Sequence, residues 1–169
     1  MRTIRHYVDQ QARAQPDAPY LIAPETGRVM TYARLQSDCV QLGRYLHAQG
    51  LAKGDKVALM LHNGYQTCRL LIGVMYAGYT VAPLNLLAQS SQLAYVLEHS
   101  DTRLVFTSAE LADRLRAALA GIQRDIKVVV IDPDAISIFD DAPAGDAPLP
   151  AVDEHDDALL MYTSGTTGK

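Results

Sequence analysis

Cysteine is scarce in this 169-residue chain, with Cys39 and Cys68 its only two. Their separation excludes a Cys-x-x-Cys redox or zinc motif. Each falls among apolar residues in a segment of helical spacing, which predicts two small core residues in a reducing compartment. The opening, Met1-Arg2-Thr3-Ile4-Arg5-His6, lacks an apolar stretch of signal-peptide length. The two absences together predict a cytoplasmic protein. The five histidines, His6, His47, His62, His99 and His155, show no metal-ligand spacing, and no serine or cysteine sits in a nucleophile elbow. In Asp153-Glu154-His155-Asp156 the acids are adjacent, and adjacent side chains rarely converge on one ion without a dedicated loop. No metal ligand and no catalytic residue is therefore assigned. Internal repeats are also missing. Basic residues are dispersed without aromatic residues between them, which predicts no nucleic-acid partner.

Charge is missing from one long segment, because nothing ionisable as Asp, Glu, Lys or Arg lies between Arg69 and Glu98. Residues 70–88 have the length and hydropathy of a membrane span. Gly78, Pro83, Asn85 and Gln89 interrupt that stretch or border it, and helical signals give way to strand signals near Thr80. The expected structure is a buried helix followed by a buried strand, with no integral membrane segment. Elsewhere the composition, 49% hydrophobic and 20% charged, is that of an ordinary globular domain long enough to bury a core.

The net charge of −4 conceals a division. Residues 1–131 hold 14 basic and 10 acidic residues, whereas 132–169 hold one basic and nine acidic. The acidic part also contains Pro133, Pro143, Pro148 and Pro150. Three parts are expected: an α/β unit over 1–131, an exposed acidic, proline-rich linker over 132–157, and a strand with a loop over 158–169.

Hydrophobic spacing supplies the elements. Leu35, Cys39, Leu42 and Leu46 recur at helical intervals, with Gly50 as a stop signal. Residues 57–61 read as a short buried strand, and 65–76 as a helix apolar nearly all round. Strands are expected at 80–83, 104–107 and 128–131. Helices are expected around Leu93, Val96 and Leu97 and over 111–119, the latter with Arg114 and Arg116 outside. Arg44 and Arg69 are read as solvated helix residues. Gln89 is a poor helix cap, so Ser90 or Ser91 is expected to take that role. Strands alternating with helices predict an α/β fold with a mainly parallel sheet flanked by helices. Ligands of such sheets gather beyond the carboxyl ends of the strands. The turn His62-Asn63-Gly64 should follow one such end.

The last residues carry the most chemistry. An apolar run over 158–162 leads into Thr163, Ser164, Gly165, Thr166, Thr167, Gly168 and Lys169. Hydroxyls and the backbone N–H groups of glycine-bearing turns are the donors a phosphate needs, and glycine permits close approach. The spacing is not that of a Walker A loop, since only Thr166 and Thr167 separate Gly165 from Gly168 and no hydroxyl residue follows Lys169. Nor is a Gly-x-Gly-x-x-Gly fingerprint present. Tyr162 adjoins the loop as a strand tyrosine, read as core packing that could also flank a nucleotide.

The segment 163–169 resembles the signature loop of the adenylate-forming superfamily, which includes acyl-CoA synthetases, peptide-synthetase adenylation domains and luciferases. That loop runs hydroxyl, small, Gly, hydroxyl, hydroxyl, Gly, any residue, Pro, Lys. Lys169 occupies the variable position and takes no lysine role. Pro16-Asp17-Ala18-Pro19-Tyr20, Met30-Thr31-Tyr32-Ala33-Arg34-Leu35, and residues 50–59, 76–85 and 93–100 are similar to acyl-CoA synthetases as well. The resemblance implies that Thr163, Ser164, Gly165, Thr166, Thr167 and Gly168 hold the β- and γ-phosphates of ATP with Mg2+ sharing the charge. A carboxylic acid would become an acyl-AMP and then a thioester of CoA. It also implies that the chain is the N-terminal part of a ligase, inactive alone. Asn85-Leu86-Leu87 and residues 95–100 look like aromatic-acid CoA ligases, while a fatty acid fits equally. An adenylation domain loading a carrier protein, or a non-catalytic scaffold or homodimer module, remain the alternatives.

Overall fold

The computed structural model describes residues 2–137 and 148–163. The chain opens with α1 (Ile4–Ala14), whose Thr3 side chain caps it by accepting from the His6 N–H. A hairpin follows, β1 (Pro19–Ala23) and β2 (Arg28–Thr31), paired antiparallel. Then comes α2 (Tyr32–Ala48), capped by Thr31, with the predicted stripe Leu35, Cys39, Leu42 and Leu46 fully buried.

Three strand–helix units build the main sheet. They are β3 (Lys56–Met60) with α3 (Tyr65–Tyr76), β4 (Thr80–Pro83) with α4 (Ser90–His99), and β5 (Thr102–Thr107) with α5 (Ala109–Leu119) leading to β6 (Lys127–Val130). All neighbours pair in parallel in the order β4-β3-β5-β6. Alternation along β3 sets the two faces. Val57 and Leu59 join a cluster with Leu42, Leu46, Leu70 and Val74 from α2 and α3. Ala58 and Met60 join Leu93, Leu97, Leu111 and Leu115 from α4 and α5. Both faces are thus covered, as a parallel sheet requires. Val8 of α1, Ala23 and Met30 of the hairpin, and Tyr76 of α3 form a third cluster. Asp9 joins α1 to its neighbours, accepting from Tyr76 Oη at 2.8 Å and Gln36 Nε2 at 2.7 Å.

The ends of α3 explain its boundaries. Gly78, in the left-handed region at φ 89°, receives the turn that closes the helix. Its N–H reaches Met75 O and the Tyr79 N–H reaches Val74 O, the paired bonds of a Schellman motif.

Four expectations need correction. Arg69 is not solvated: its side chain has no exposed surface and lies between α2 and α3. Its Nε faces Asp38 Oδ2 at 3.1 Å, and Nη1 donates to Gln66 Oε1 at 3.0 Å. The reason is that its face of α3 packs on α2, where Asp38 meets the charge inside the fold. Arg114 is half-buried instead of outside, and it donates to the carbonyls of Leu86 and Ala88 in the loop after β4. The cap of α4 is Gln89, not Ser90 or Ser91. Its N–H donates to Gln92 Oε1 at 2.9 Å, so a glutamine three residues on reaches back to the cap as in a capping box. Finally, 158–162 makes a single parallel bridge, Leu159 to Val81, in place of a full strand.

The described parts of 132–157 are tethered to the domain. Gln66 donates its N–H to Pro133 O and its Nε2 to Ala135 O. Arg5 donates to Pro150 O at 2.9 Å and to Tyr76 O at 2.9 Å. Leu149 packs beside Gly43 on α2.

Candidate functional site

Because the four strands are parallel, Met60, Pro83, Thr107 and Val130 all end at one side of the sheet. β4 lies on one side of β3 and β5 on the other, and α3 covers the face opposite α4 and α5. The strand order therefore reverses at β3, which is where open α/β sheets form a crevice. A cleft of about 530 Å³ lies over the ends of β3, β5 and β6. His62 and Asn63 of the predicted turn supply one wall, and Ser108 and Glu110 another. His62 Nε2 stands 3.7 Å from Glu110 Oε1. With Glu110, Asp132 and Asp134 lining it, this cleft has the wrong sign of charge for a polyphosphate.

The terminal segment approaches from the opposite edge. Val81 donates its N–H to Ala158 O at 3.0 Å and Leu160 donates to Val81 O at 2.9 Å. Thr80 Oγ1 donates to Asp157 O at 2.9 Å. The segment thus joins the sheet beyond β4 and runs parallel to it, so Met161, Tyr162 and Thr163 leave toward the carboxyl side. Lys53 pairs with Asp156 at 2.7 Å just before this bridge and holds that carboxyl below its usual range. Thr163 is exposed. Ser164, Gly165, Thr166, Thr167 and Gly168 lie outside the described residues, so Thr163 is the one sequence-derived site residue that can be placed.

Tyr162 does not pack into the core. It is half-buried, and its Oη is hydrogen-bonded to His99 Nδ1 at 2.7 Å, with the two rings edge to face at 5.8 Å. Tyr95, one turn earlier on α4, stacks on His99 at 5.3 Å. Burial pushes the Tyr162 phenol up, with Tyr95 and Asp101 adding to the effect. Sequence reading leaves His99 among the scattered histidines. Its partner is 63 positions away, and only the parallel bridge brings the two together.

The cysteines offer no nucleophile. Burial, reinforced by Asp38, pushes the Cys39 thiol up to about 12, and burial raises Cys68 too.

Residues 8–169 match the AMP-binding enzyme family. The chain belongs to that family. It is 45% identical over 168 residues to the sulfoacetate–CoA ligase of Cupriavidus necator, an alignment covering 98% of this chain and 33% of the relative. It is 30% identical over 174 residues to the long-chain-fatty-acid–CoA ligase FadD13 of Mycobacterium tuberculosis, covering 99% of this chain and 34% of that one. The inhibitor-bound N-terminal domain of FACL13 from Mycobacterium tuberculosis superposes with a TM-score of 0.82 at 28% identity, covering 99% of this chain and 42% of that structure. The chain therefore spans about a third of the length of the curated relatives it matches. The parallel sheet flanked by helices, expected from the sequence, is the architecture this chain has.

Proposed function

We propose that this chain is the opening part of an ATP-dependent acid–thiol ligase. In this reading Thr163, Ser164, Gly165, Thr166, Thr167 and Gly168 receive the β- and γ-phosphates, and the acidic stretch 132–157 links that loop to the α/β unit of 1–131. The observation that supports it is the parallel bridge of Leu159 on Val81, which directs the chain toward the carboxyl side of the sheet as far as Thr163, the first of the proposed phosphate ligands. The donor set suits the ligand: no acidic residue occurs between Ala158 and Lys169, whereas the neighbouring cleft is lined by carboxylates. Hydroxyls and turned N–H groups can cradle phosphate oxygens, and glycines let them come close.

A carboxylate is a poor acyl donor, so the proposed reaction first attaches AMP. One carboxylate oxygen attacks the α-phosphorus and pyrophosphate leaves, giving an acyl-AMP. A thiol then attacks the acyl carbon and AMP departs with the bonding pair, leaving a thioester. Catalysis of the first step is positioning and charge neutralisation. The chain's share is to hold the departing pyrophosphate, and bound Mg2+ would supply further positive charge there. CoA is the proposed thiol, since two relatives are CoA ligases. Sulfoacetate is the first acid to try, because the 45% identical relative is named for it; fatty and aromatic acids complete the panel.

The test is isotope exchange between pyrophosphate and ATP catalysed by the full-length protein. Exchange that requires one of these acids, followed by acid-dependent consumption of CoA, is expected. Cleavage to ADP and phosphate, or no acid-dependent exchange across the panel, contradicts the proposal. The 169-residue chain alone is expected to release no pyrophosphate.

A further inference from the structure

We propose that His99 is a positioning residue for the loop that begins at Thr163, an inference that rests on the phosphate-binding role just proposed. The segment ahead of the loop has few constraints. Its backbone is tied to β4 by the Val81 bonds to Ala158 and Leu160 and by the Thr80 hydroxyl on Asp157 O, and Leu159 and Met161 are exposed. Beyond Leu160 the described residues make one further tether before Thr163, the 2.7 Å bond between Tyr162 Oη and His99 Nδ1. Those bonds end at Leu160, which leaves the chain beyond it free to swing. A second attachment two residues on removes that freedom and fixes the direction in which Thr163 departs.

His99 is built to serve as the fixed end. It sits in the last turn of α4, where Leu93 and Leu97 are buried against the sheet. Arg124 closes that helix end, donating to Leu97 O at 2.8 Å and Glu98 O at 3.2 Å while pairing with Asp101 at 2.8 Å. Asp101, at φ 55°, turns the chain sharply into β5. The imidazole itself is stacked by Tyr95 on one side and met edge-on by Tyr162. An anchored backbone and a clamped ring make the hydrogen bond directional. A tyrosine could pack here without its hydroxyl, so the bond adds orientation more than burial. Small displacements of a phosphate-binding group are costly to a displacement at phosphorus, because the reacting atoms must be held in line.

The experiment compares full-length wild type with His99→Ala, His99→Asn, Tyr162→Phe, the double variant His99→Ala/Tyr162→Phe, and Thr166→Ala. Acid-dependent pyrophosphate release gives kcat and KM for ATP, and melting temperature is recorded for each. His99→Ala and Tyr162→Phe are each expected to lower kcat/KM for ATP by about five- to tenfold. The double variant should be no worse than the weaker single, because both remove one bond. His99→Asn, which restores a polar atom near the Nδ1 position, should recover most of the loss. Multiplying effects in the double variant, unchanged kcat/KM in both singles, or losses that follow melting temperature alone overturn the positioning role. If Thr166→Ala is silent, or wild type turns over no ATP, the phosphate-loop reading falls and the positioning role falls with it.

Discussion

At the scale of single residues, the most consequential feature is a buried ion pair. Asp38 and Arg69 come from different helices, are 3% and 0% exposed, and meet at 3.1 Å. Burial lowers the Arg69 pKa while Asp38 opposes that shift, so the pair keeps the guanidinium charged. Asp38→Ala would strand that charge, and a loss of about 3–5 kcal/mol in urea denaturation is expected. Replacing both, as Asp38→Leu with Arg69→Met, should restore most of the loss; equal damage from single and double variants would show that packing, not charge, is at stake. Sequence reading takes Arg69 for a surface residue because a lone charge on a helix ordinarily faces water, and its partner on another helix leaves no periodic trace. Titration gives a second test. Folding raises the Cys39 thiol to about 12 and also raises the phenols of Tyr20, Tyr45, Tyr65, Tyr76 and Tyr79, in each case chiefly by burial. Groups raised on folding stabilise below their unfolded values, and that stability drains away as pH climbs toward the folded ones. Stability is therefore expected to fall from about pH 9 upward, and Cys39→Ala should delay the fall. A flat profile to pH 11 would contradict the burial of these groups.

At the scale of elements, helix ends and crossings decide where the chain goes. Gly78 closes α3 at φ 89°, and a Cβ there would lie 3.1 Å from Val152 Cγ1 and 3.3 Å from Pro150 Cγ. Gly78→Ala should cost about 1–2 kcal/mol through the left-handed backbone alone, and the contact with Val152 should add to it. A loss no greater than the backbone cost would show that the residues after Pro148 do not lie against this turn, and a melting temperature equal to wild type would contradict the backbone cost as well. The main units were legible because their apolar residues are dense: α3 and β4 run over the residues the spacing marks, 65–76 and 80–83. α1 and the hairpin were not. Ile4, Val8 and Ala12 do recur every four residues, but Arg5, Asp9, Arg13 and two glutamines, Gln10 and Gln11, dilute the signal. The hairpin strands are short and bury little beyond Ala23 and Met30. Their burial depends on α2 and α3, so it becomes visible only once those helices are in place. The same holds for Arg114, whose use as a clamp on the loop after β4 requires α4 and α5 to be packed together first.

At the scale of the whole molecule, an acid-lined cleft over β3, β5 and β6 stands apart from the segment beside β4 that leads to Thr163. The chemistry proposed for the loop is read from hydroxyls and glycines in that order after an apolar run. Its attachment was not legible in the sequence, since neither the single bridge at Val81 nor the bond from Tyr162 to His99 follows from any local pattern. Membership of the AMP-binding family supports the reaction class proposed above. The claim at the centre is that this segment grips the leaving phosphates of ATP. The most direct measurement is pyrophosphate–ATP exchange by the full-length protein with Thr166 and Thr167 replaced by alanine. A fall of about 10²-fold in kcat, with the melting temperature unchanged, is expected; exchange at the wild-type rate would contradict it.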